Sequence, residues 1–299
     1  MRYLITGGSG LIGSALCARL LVSGHHVCIL TRTPGQLLKR NDNAIQAVAN
    51  LKDLPANYSP EIVINLAGAP IADFPWTAAR RKLLLQTRIN ATQQLVSWLK
   101  TRKTFPDVFL SASAVGYYGD GGEHSLDEDS ISAPGFAHEL CHHWEQEALS
   151  AEQFGVRVCV MRFGIVLSRS GGFLSRLKLP FLCGLGGRMG NGKQWFSWIH
   201  LDDLIAAMEF LISNQTLQGI FNFTAPTPVR NSEFTATLAR QLHRPAILPV
   251  PELALHCLGE MSSLFLDSQR VYPRRLQAAG FTFQYPELSA ALANVLGEK

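Results

Sequence analysis

The chain has 299 residues, enough for one large α/β domain or two smaller lobes around a sizeable core. With 47% hydrophobic and 17% charged residues it reads as an ordinary soluble globular protein, not a disordered or fibrous one. The net charge of +4 is mild and no basic block is interleaved with aromatics, which argues against a nucleic-acid partner, and no apolar run nears the roughly 20 residues of a membrane helix.

The opening MRYLITGG runs from an apolar stretch straight into a glycine turn, without a secretory h-region or cleavage site, so a cytoplasmic protein is expected. Six scattered cysteines (Cys17, Cys28, Cys141, Cys159, Cys183, Cys257) form no C-x-x-C pair and fit reduced thiols. RYLIT, HVCIL, EIVINLAG, DVFLSAS and VRVCVMRFG are short runs rich in Val and Ile. Segments of helical periodicity such as SALCARLLVSG and INATQQLVSWLK separate them. This βα rhythm predicts a Rossmann-type, doubly wound parallel α/β sheet.

RYLIT leads into GGSGLIGSALCARLL, in which Gly8, Gly10 and Gly13 match G-x-G-x-x-G, and Gly7, Gly10 and Gly13 match G-x-x-G-x-x-G. Glycine lets the backbone turn sharply, approach a pyrophosphate and pack helix on strand, with the helix N-terminus facing the phosphates. The second strand ends at Thr31-Arg32, where an NAD site would present an acidic residue to the ribose 2′-hydroxyl. A guanidinium there suits a 2′-phosphate instead, so NADP(H) is expected over NAD.

Residues 138–142 read HELCH, a literal H-E-x-x-H that on a helix would put His138 and His142 on one face, with Glu139 as general base of a zinc hydrolase. No third ligand with motif spacing follows, and no metal ligands are assigned. Phe136, Leu140 and Trp144 recur at four-residue spacing and predict a packed face for this helix instead.

After about residue 168, Gly and Pro thicken through SGGFLSRLKLPFLCGLGGRMGNGKQ. The chain is therefore divided into a dinucleotide-binding domain at 1–168, rejoined around 196–214, and a smaller C-terminal α/β substrate lobe at 169–299. GRMGNGK, at 187–193, meets G-x-x-x-x-G-K but is followed by Gln194 where a P-loop needs Ser or Thr, so ATP is not expected. Trp195, Trp198, His200, Asp202 and Asp203 precede a helical segment that Asp203 is expected to cap.

With TGGSGLIG, NLAG at 65–68, SASAVGYYG at 111–119, RFGIVLS from Arg162, QWFSWIHLDDL, FNFTAPTPV and LDSQRVYPRRL, the chain resembles the extended short-chain dehydrogenase/reductases. Within them it is most similar to epimerase-family proteins of the YfcH type, over nearly its whole length. The resemblance implies an NADP(H) pocket lined by Gly7, Gly10, Leu11, Ile12, Gly13, Thr31, Arg32, Leu66, Ala67, Gly68, Arg88 and Val166.

In the wider superfamily, a Ser or Thr after the fifth strand positions substrate, and a Tyr four residues before a Lys moves the proton. Ser113 matches the Ser/Thr position. The Tyr and Lys are absent: aligning Trp144-Glu145 to the end of that helix puts Ala137 and Cys141 at their positions. Tyr117 and Tyr118 can offer a phenol instead, with Tyr117 the candidate catalytic partner of Ser113. Cys141 serves as a nucleophile only if a neighbour such as His138 or His142 lowers its pKa. Two functions follow as expectations: an NADP(H)-dependent oxidoreductase or epimerase acting on a nucleotide-sugar-like or other polar metabolite, or a non-catalytic NADP(H)-sensing regulator that a protein partner reads, as the label cell-division-inhibitor-like suggests. The oligomeric state is left open.

Overall fold

Tyr3 and Ile5 of the first strand face one side of the sheet and Leu4 the other, and all three are buried. Such burial on both faces is expected where helices cover a parallel sheet on each side. In the computed structural model, which describes residues 1–35 and 45–297, the apolar runs form a succession of strands. They are β1 (Arg2–Thr6), β2 (His26–Leu30), β3 (Gln46–Val48), β4 (Ile62–Asn65), β5 (Val108–Ala114), β6 (Ser125–Leu126), β7 (Val158–Phe163), β8 (Ile165–Leu167), β9 (Trp195–Phe196), β10 (Trp198–His200), β11 (Gly219–Phe223), β12 (Val229–Arg230) and β13 (Arg270–Val271). Residues 36–44 of the expected first domain and 298–299 of the expected lobe lie outside the described residues.

Seven strands make one sheet in the order β11-β7-β5-β4-β1-β2-β3, with all pairings parallel. The chain winds outward from β1 to β3, then returns to β4 on the other side of β1. The crevice at the carboxyl ends of β1 and β4 is therefore the switch point where such sheets take ligands.

The helices that bear on the site are α1 (Leu11–Val22), α2 (Ala78–Lys100), α3 (Phe136–Leu149), α4 (Gly172–Leu182) and α5 (Leu201–Ser213). Leu16 and Leu20 of α1 and Leu204, Met208 and Leu211 of α5 pack on one sheet face; Leu95 and Leu99 of α2 and Ala148 of α3 pack on the other. After α5 the chain re-enters the large sheet as β11, which pairs with β7 at its edge.

A second core is built from Leu174 and Phe181 of α4, Phe196, Trp198, Phe234, Leu238, Leu288 and Leu292. Two small parallel pairings, β8 with β10 and β6 with β13, join it to earlier segments of the chain, and a third, antiparallel pairing of β9 with β12 lies within it.

Candidate functional site

Gly7 closes β1 in a left-handed turn, φ +70°, where a side chain would be strained. A Cβ there would sit 2.4 Å from the Leu66 carbonyl oxygen, and one on Gly13 would sit 2.3 Å from the Gly7 carbonyl oxygen. The loop between β1 and α1 is therefore pressed against both the turn after β4 and its own helix. Gly10 is the N-cap of α1 with no side-chain capping bond, and the first turn holds no acidic residue. The N–H groups of Leu11, Ile12 and Gly13 have no partner one turn earlier in the helix, and the helix dipole is positive there. This uncapped, glycine-walled end fits a pyrophosphate.

Leu11 also touches the start of α4: its methyl groups lie 3.4 and 3.0 Å from where Cβ atoms on Gly171 and Gly172 would be. Val166, in β8, pairs with Ile199, and its carbonyl oxygen lies 3.7 Å from where a Cβ on Gly172 would be. Thr31 follows β2 with its N–H on the Val48 carbonyl, and Arg32 beside it is exposed at the strand's carboxyl end. Arg176 of α4 holds Asp73 and the Ala72 carbonyl, tying α4 to the loop before α2.

The turn at Leu66, Ala67 and Gly68 rests on a buried polar chain. Asn65 accepts from Thr6 at 2.6 Å and donates to Thr92 at 2.8 Å and to Ser111 at 3.2 Å; the Trp144 indole donates to the same Thr92 hydroxyl at 3.1 Å. One helical turn before Thr92, Arg88 donates to the carbonyls of Ala69 and Leu84 and lies over the Trp144 ring, 5.2 Å from its centroid. A Cβ on Gly68 would be 3.0 Å from the Arg88 guanidinium carbon, so the guanidinium packs directly against the turn. Burial pushes Arg88 down to about 10, still cationic at neutral pH.

Ser113 and Tyr117 flank a buried ion pair. Arg162 grips Glu145 through two parallel bonds of 2.8 Å, both side chains no more than 3% exposed, and Ser113 donates to the same carboxylate at 2.6 Å. Burial works against the charge on Arg162, but the Glu145 bonds outweigh it and raise the guanidinium pKa. The Tyr117 ring lies on that guanidinium, 3.4 Å from its carbon, and remains partly exposed. Tyr118 accepts from Arg162 and donates to Asn222; burial pushes its phenol up to about 12, so it stays protonated at neutral pH and is a weaker acid than a free phenol.

Cys141 stands next to Ser113, where the alignment puts the missing Lys. It is 4% exposed, and burial and the Glu145 charge push its thiol up to about 11, so the activated-thiol expectation is corrected: at neutral pH it is a thiol. Ala137, at the Tyr position, packs so closely on the turn carrying Tyr117 that a Cβ on Gly116 would lie 3.3 Å from it.

The HELCH segment lies in α3 as expected, with Leu140 and Trp144 buried and Phe136 edge-on to Trp76. His138 and His142 do share a face, stacked at 5.6 Å, but His138 Nδ1 is bonded to the Tyr117 carbonyl at 2.8 Å. Among the described residues, no group of three or more His, Cys, Asp or Glu side chains could hold a metal ion. The zinc reading therefore lacks a ligand set.

GRMGNGK is no P-loop: its amides serve its own lobe, Met189 to the Asn231 side chain and Gly190 to the Val250 carbonyl. Asp203 does not cap α5 either. His200 Nδ1 takes the Asp202 N–H, while Asp203 receives the N–H groups of Gln284 and Tyr285. Trp198 is core; Trp195 lies between the guanidinium groups of Arg230 and Arg270 at 4.5 and 4.4 Å. The residues that sequence reasoning missed as a unit are Glu145 and Arg162. The only signal for them is an acid four residues after the vacant Lys position and an arginine inside a strand.

The family model described as NAD dependent epimerase/dehydratase family matches residues 3–223, and a domain of unknown function (DUF1731) matches 249–295. An epimerase family protein of Staphylococcus aureus is 42% identical over 304 residues, covering 99% of both chains. The crystal structure of human epimerase family protein SDR39U1 with NADPH superposes with a TM-score of 0.88 at 31% identity, covering 99% of each chain. The nucleoside-diphosphate sugar epimerase from Corynebacterium glutamicum is 32% identical with a TM-score of 0.78, covering 99% of this chain and 58% of that one. An uncapped α1 behind a glycine turn at the switch point of a parallel sheet, with a full-length match in sequence, places the chain in the NAD-dependent epimerase/dehydratase family.

Proposed function

We propose that the protein binds NADP(H) across the switch point and uses it in hydride chemistry on a polar, nucleotide-sugar-like metabolite. The glycine cradle and uncapped α1 would hold the pyrophosphate, and Arg32 with Thr31 would take a ribose 2′-phosphate. The human relative that contains NADPH supports this choice of cofactor. When bound, the cofactor supplies or accepts a hydride. A cytoplasmic location goes with this reading.

The observation that carries the catalytic part is the partly exposed Tyr117 phenol lying on Arg162 beside Ser113. Ser113 has its proton committed to Glu145, so it would accept a hydrogen bond from a substrate hydroxyl and not donate one. Tyr117 is then the group that would pass a proton to or from the substrate oxygen.

A second reading is a non-catalytic NADP(H) sensor whose closure of α4 over the crevice is read by a protein partner. It is favoured by Ala137 and the neutral Cys141 at the two proton-relay positions. Thermal-shift titration with NADPH, NADP⁺, NADH and NAD⁺ on wild type and Arg32→Ala tests the cofactor. The phosphorylated pair should stabilise wild type more, and the difference should vanish in Arg32→Ala. An equal response to all four would defeat the NADP(H) assignment. NADPH oxidation across a nucleotide-sugar and carbonyl panel separates the two readings: turnover lost in Tyr117→Phe supports the enzyme. Inertness together with partner binding that changes between NADPH and NADP⁺ supports the sensor.

A further inference from the structure

Leu179, Leu182 and Leu185, in the last turn of α4 and just past it, are exposed, and so are Ile247 and Leu248 in the segment after the helix Asn231–Gln241. Leu179, Leu185 and Ile247 are 69%, 62% and 76% exposed. The two segments touch. The Leu248 N–H donates to the Gly186 carbonyl at 3.3 Å, the Arg244 guanidinium donates to the Leu182 carbonyl at 3.2 Å, and a Cβ on Gly187 would lie 1.8 Å from the Leu248 carbonyl oxygen. Large aliphatic side chains gathered on one face mark a contact site, whereas single exposed ones are ordinary.

The charge around this face has one sign. Lys178 adjoins Leu179, Arg244 reaches Leu182, and Arg188 lines a cavity of about 370 Å³ together with Ile247 and Pro249. All three cations are exposed, and none is in an ion pair among the described residues. Residues 172–201 and 234–251 contain no Asp or Glu. Asp73 engages Arg176, one turn before Leu179, and Glu233 and Glu252 stand just outside the second segment in sequence. The face shows no aromatic ring, since Phe181 points into the second core. Protein-binding hot spots favour Trp and Tyr and under-use Leu. Aliphatic tips ringed by Lys and Arg are instead the pattern that lies on an anionic lipid surface, where burial of the tips and attraction of the cations add.

We propose that this face of the second lobe docks on an anionic membrane leaflet, with the leucine and isoleucine tips in the headgroup layer and Lys178, Arg188 and Arg244 against lipid phosphates. The contact is peripheral: among the described residues, no helix is long and apolar enough to cross a membrane. Docking and the nucleotide crevice share α4, whose first residue, Gly172, meets Leu11 beside the glycine cradle. The 11 residues of this helix span about 16 Å between the two.

Flotation of the full chain with vesicles of phosphatidylglycerol and phosphatidylcholine in equal parts, and with vesicles of phosphatidylcholine alone, tests the proposal. Wild type should bind the anionic vesicles at least tenfold more tightly than the neutral ones, and the binding should weaken as salt rises from about 0.05 to about 0.5 M. Leu179→Ser/Leu185→Ser/Ile247→Ser should abolish flotation. Lys178→Gln/Arg188→Gln should weaken it by more than tenfold, each cation at an anionic surface being worth roughly fivefold. The substituted side chains are exposed, so both variants should keep the wild-type unfolding temperature. If the triple variant unfolds earlier, Leu179→Ser and Ile247→Ser are read singly, and each should weaken flotation. Wild type that ignores anionic vesicles, equal binding to neutral ones, or flotation unchanged by the serine substitutions overturns the proposal. A dimer in sedimentation velocity that the triple variant dissolves, in a protein inert to vesicles, also overturns it and assigns the face to a second copy of the chain.

Discussion

Glu145 shows how much a single side chain carries at this site. Its carboxylate receives two Arg162 bonds and the Ser113 hydroxyl in a place closed to water. Removing its charge while keeping its shape strands Arg162 as an uncompensated buried cation. Glu145→Gln should therefore lose about 3–5 kcal/mol of unfolding free energy, read from urea denaturation. A loss below about 1 kcal/mol would mean that water already reaches the pair. Ser113 was legible in the sequence because a short motif after a strand marks it. Its bond to Glu145 was not, because the two are 32 positions apart and nothing in the local pattern of either announces the other.

At the scale of elements, the β1–α1 unit is specified almost wholly by local sequence. An apolar run, a glycine turn and a helical repeat appear in RYLITGGSGLIGSALCARLL in that order, and the structure follows that order, with the strand at Arg2–Thr6 and the helix at Leu11–Val22. Gly13→Ala tests how tightly the unit is set: its new Cβ would meet the Gly7 carbonyl oxygen at 2.3 Å and the Gly8 Cα at 2.7 Å, both backbone. The helix start must then move away from the turn. The expected outcome is a loss of about 1–3 kcal/mol in stability, seen in thermal or urea unfolding, with cofactor-induced stabilisation largely abolished. An unchanged cofactor response would show that the pyrophosphate does not use this end of α1. The helix α3 was equally legible as a helix, with its packed face read from Phe136, Leu140 and Trp144. The sequence motif on its other face suggested a metal; the structure bonds His138 to the Tyr117 carbonyl, and among the described residues no third ligand joins the pair.

At the scale of the whole molecule, the loop after β5 is joined to the C-terminal lobe by backbone and side-chain bonds: Gly121 donates to the Ser268 carbonyl at 2.8 Å, and the Ser268 N–H donates to Asp120 at 3.0 Å. Asp267 lies in the same seam, where burial and then the Asp120 charge push its carboxyl up to about 6 from 3.8. A raised carboxyl pKa means that the native state favours the protonated form, so its contribution is fully present below 3.8 and is lost as pH rises through about 6. Asp267→Asn should thus gain stability relative to wild type between pH 4 and pH 7.5, by about 1 kcal/mol once solvent screening of a partly exposed group is allowed for. Urea unfolding at the two pH values checks this, and a pH-independent difference would count against the seam as the cause. The sequence by itself determined the parallel α/β sheet, the cofactor-type turn and the absence of the Tyr and Lys, because periodicity and short motifs depend on neighbours along the chain. Only the tertiary structure decided that Ser113 is tied to Glu145, that Asp203 holds residues 284 and 285 instead of capping α5, and that Arg88 donates to the Ala69 carbonyl under the Trp144 ring. Those outcomes rest on polar contacts between elements far apart in sequence, whose partners are chosen by how the helices pack on the sheet.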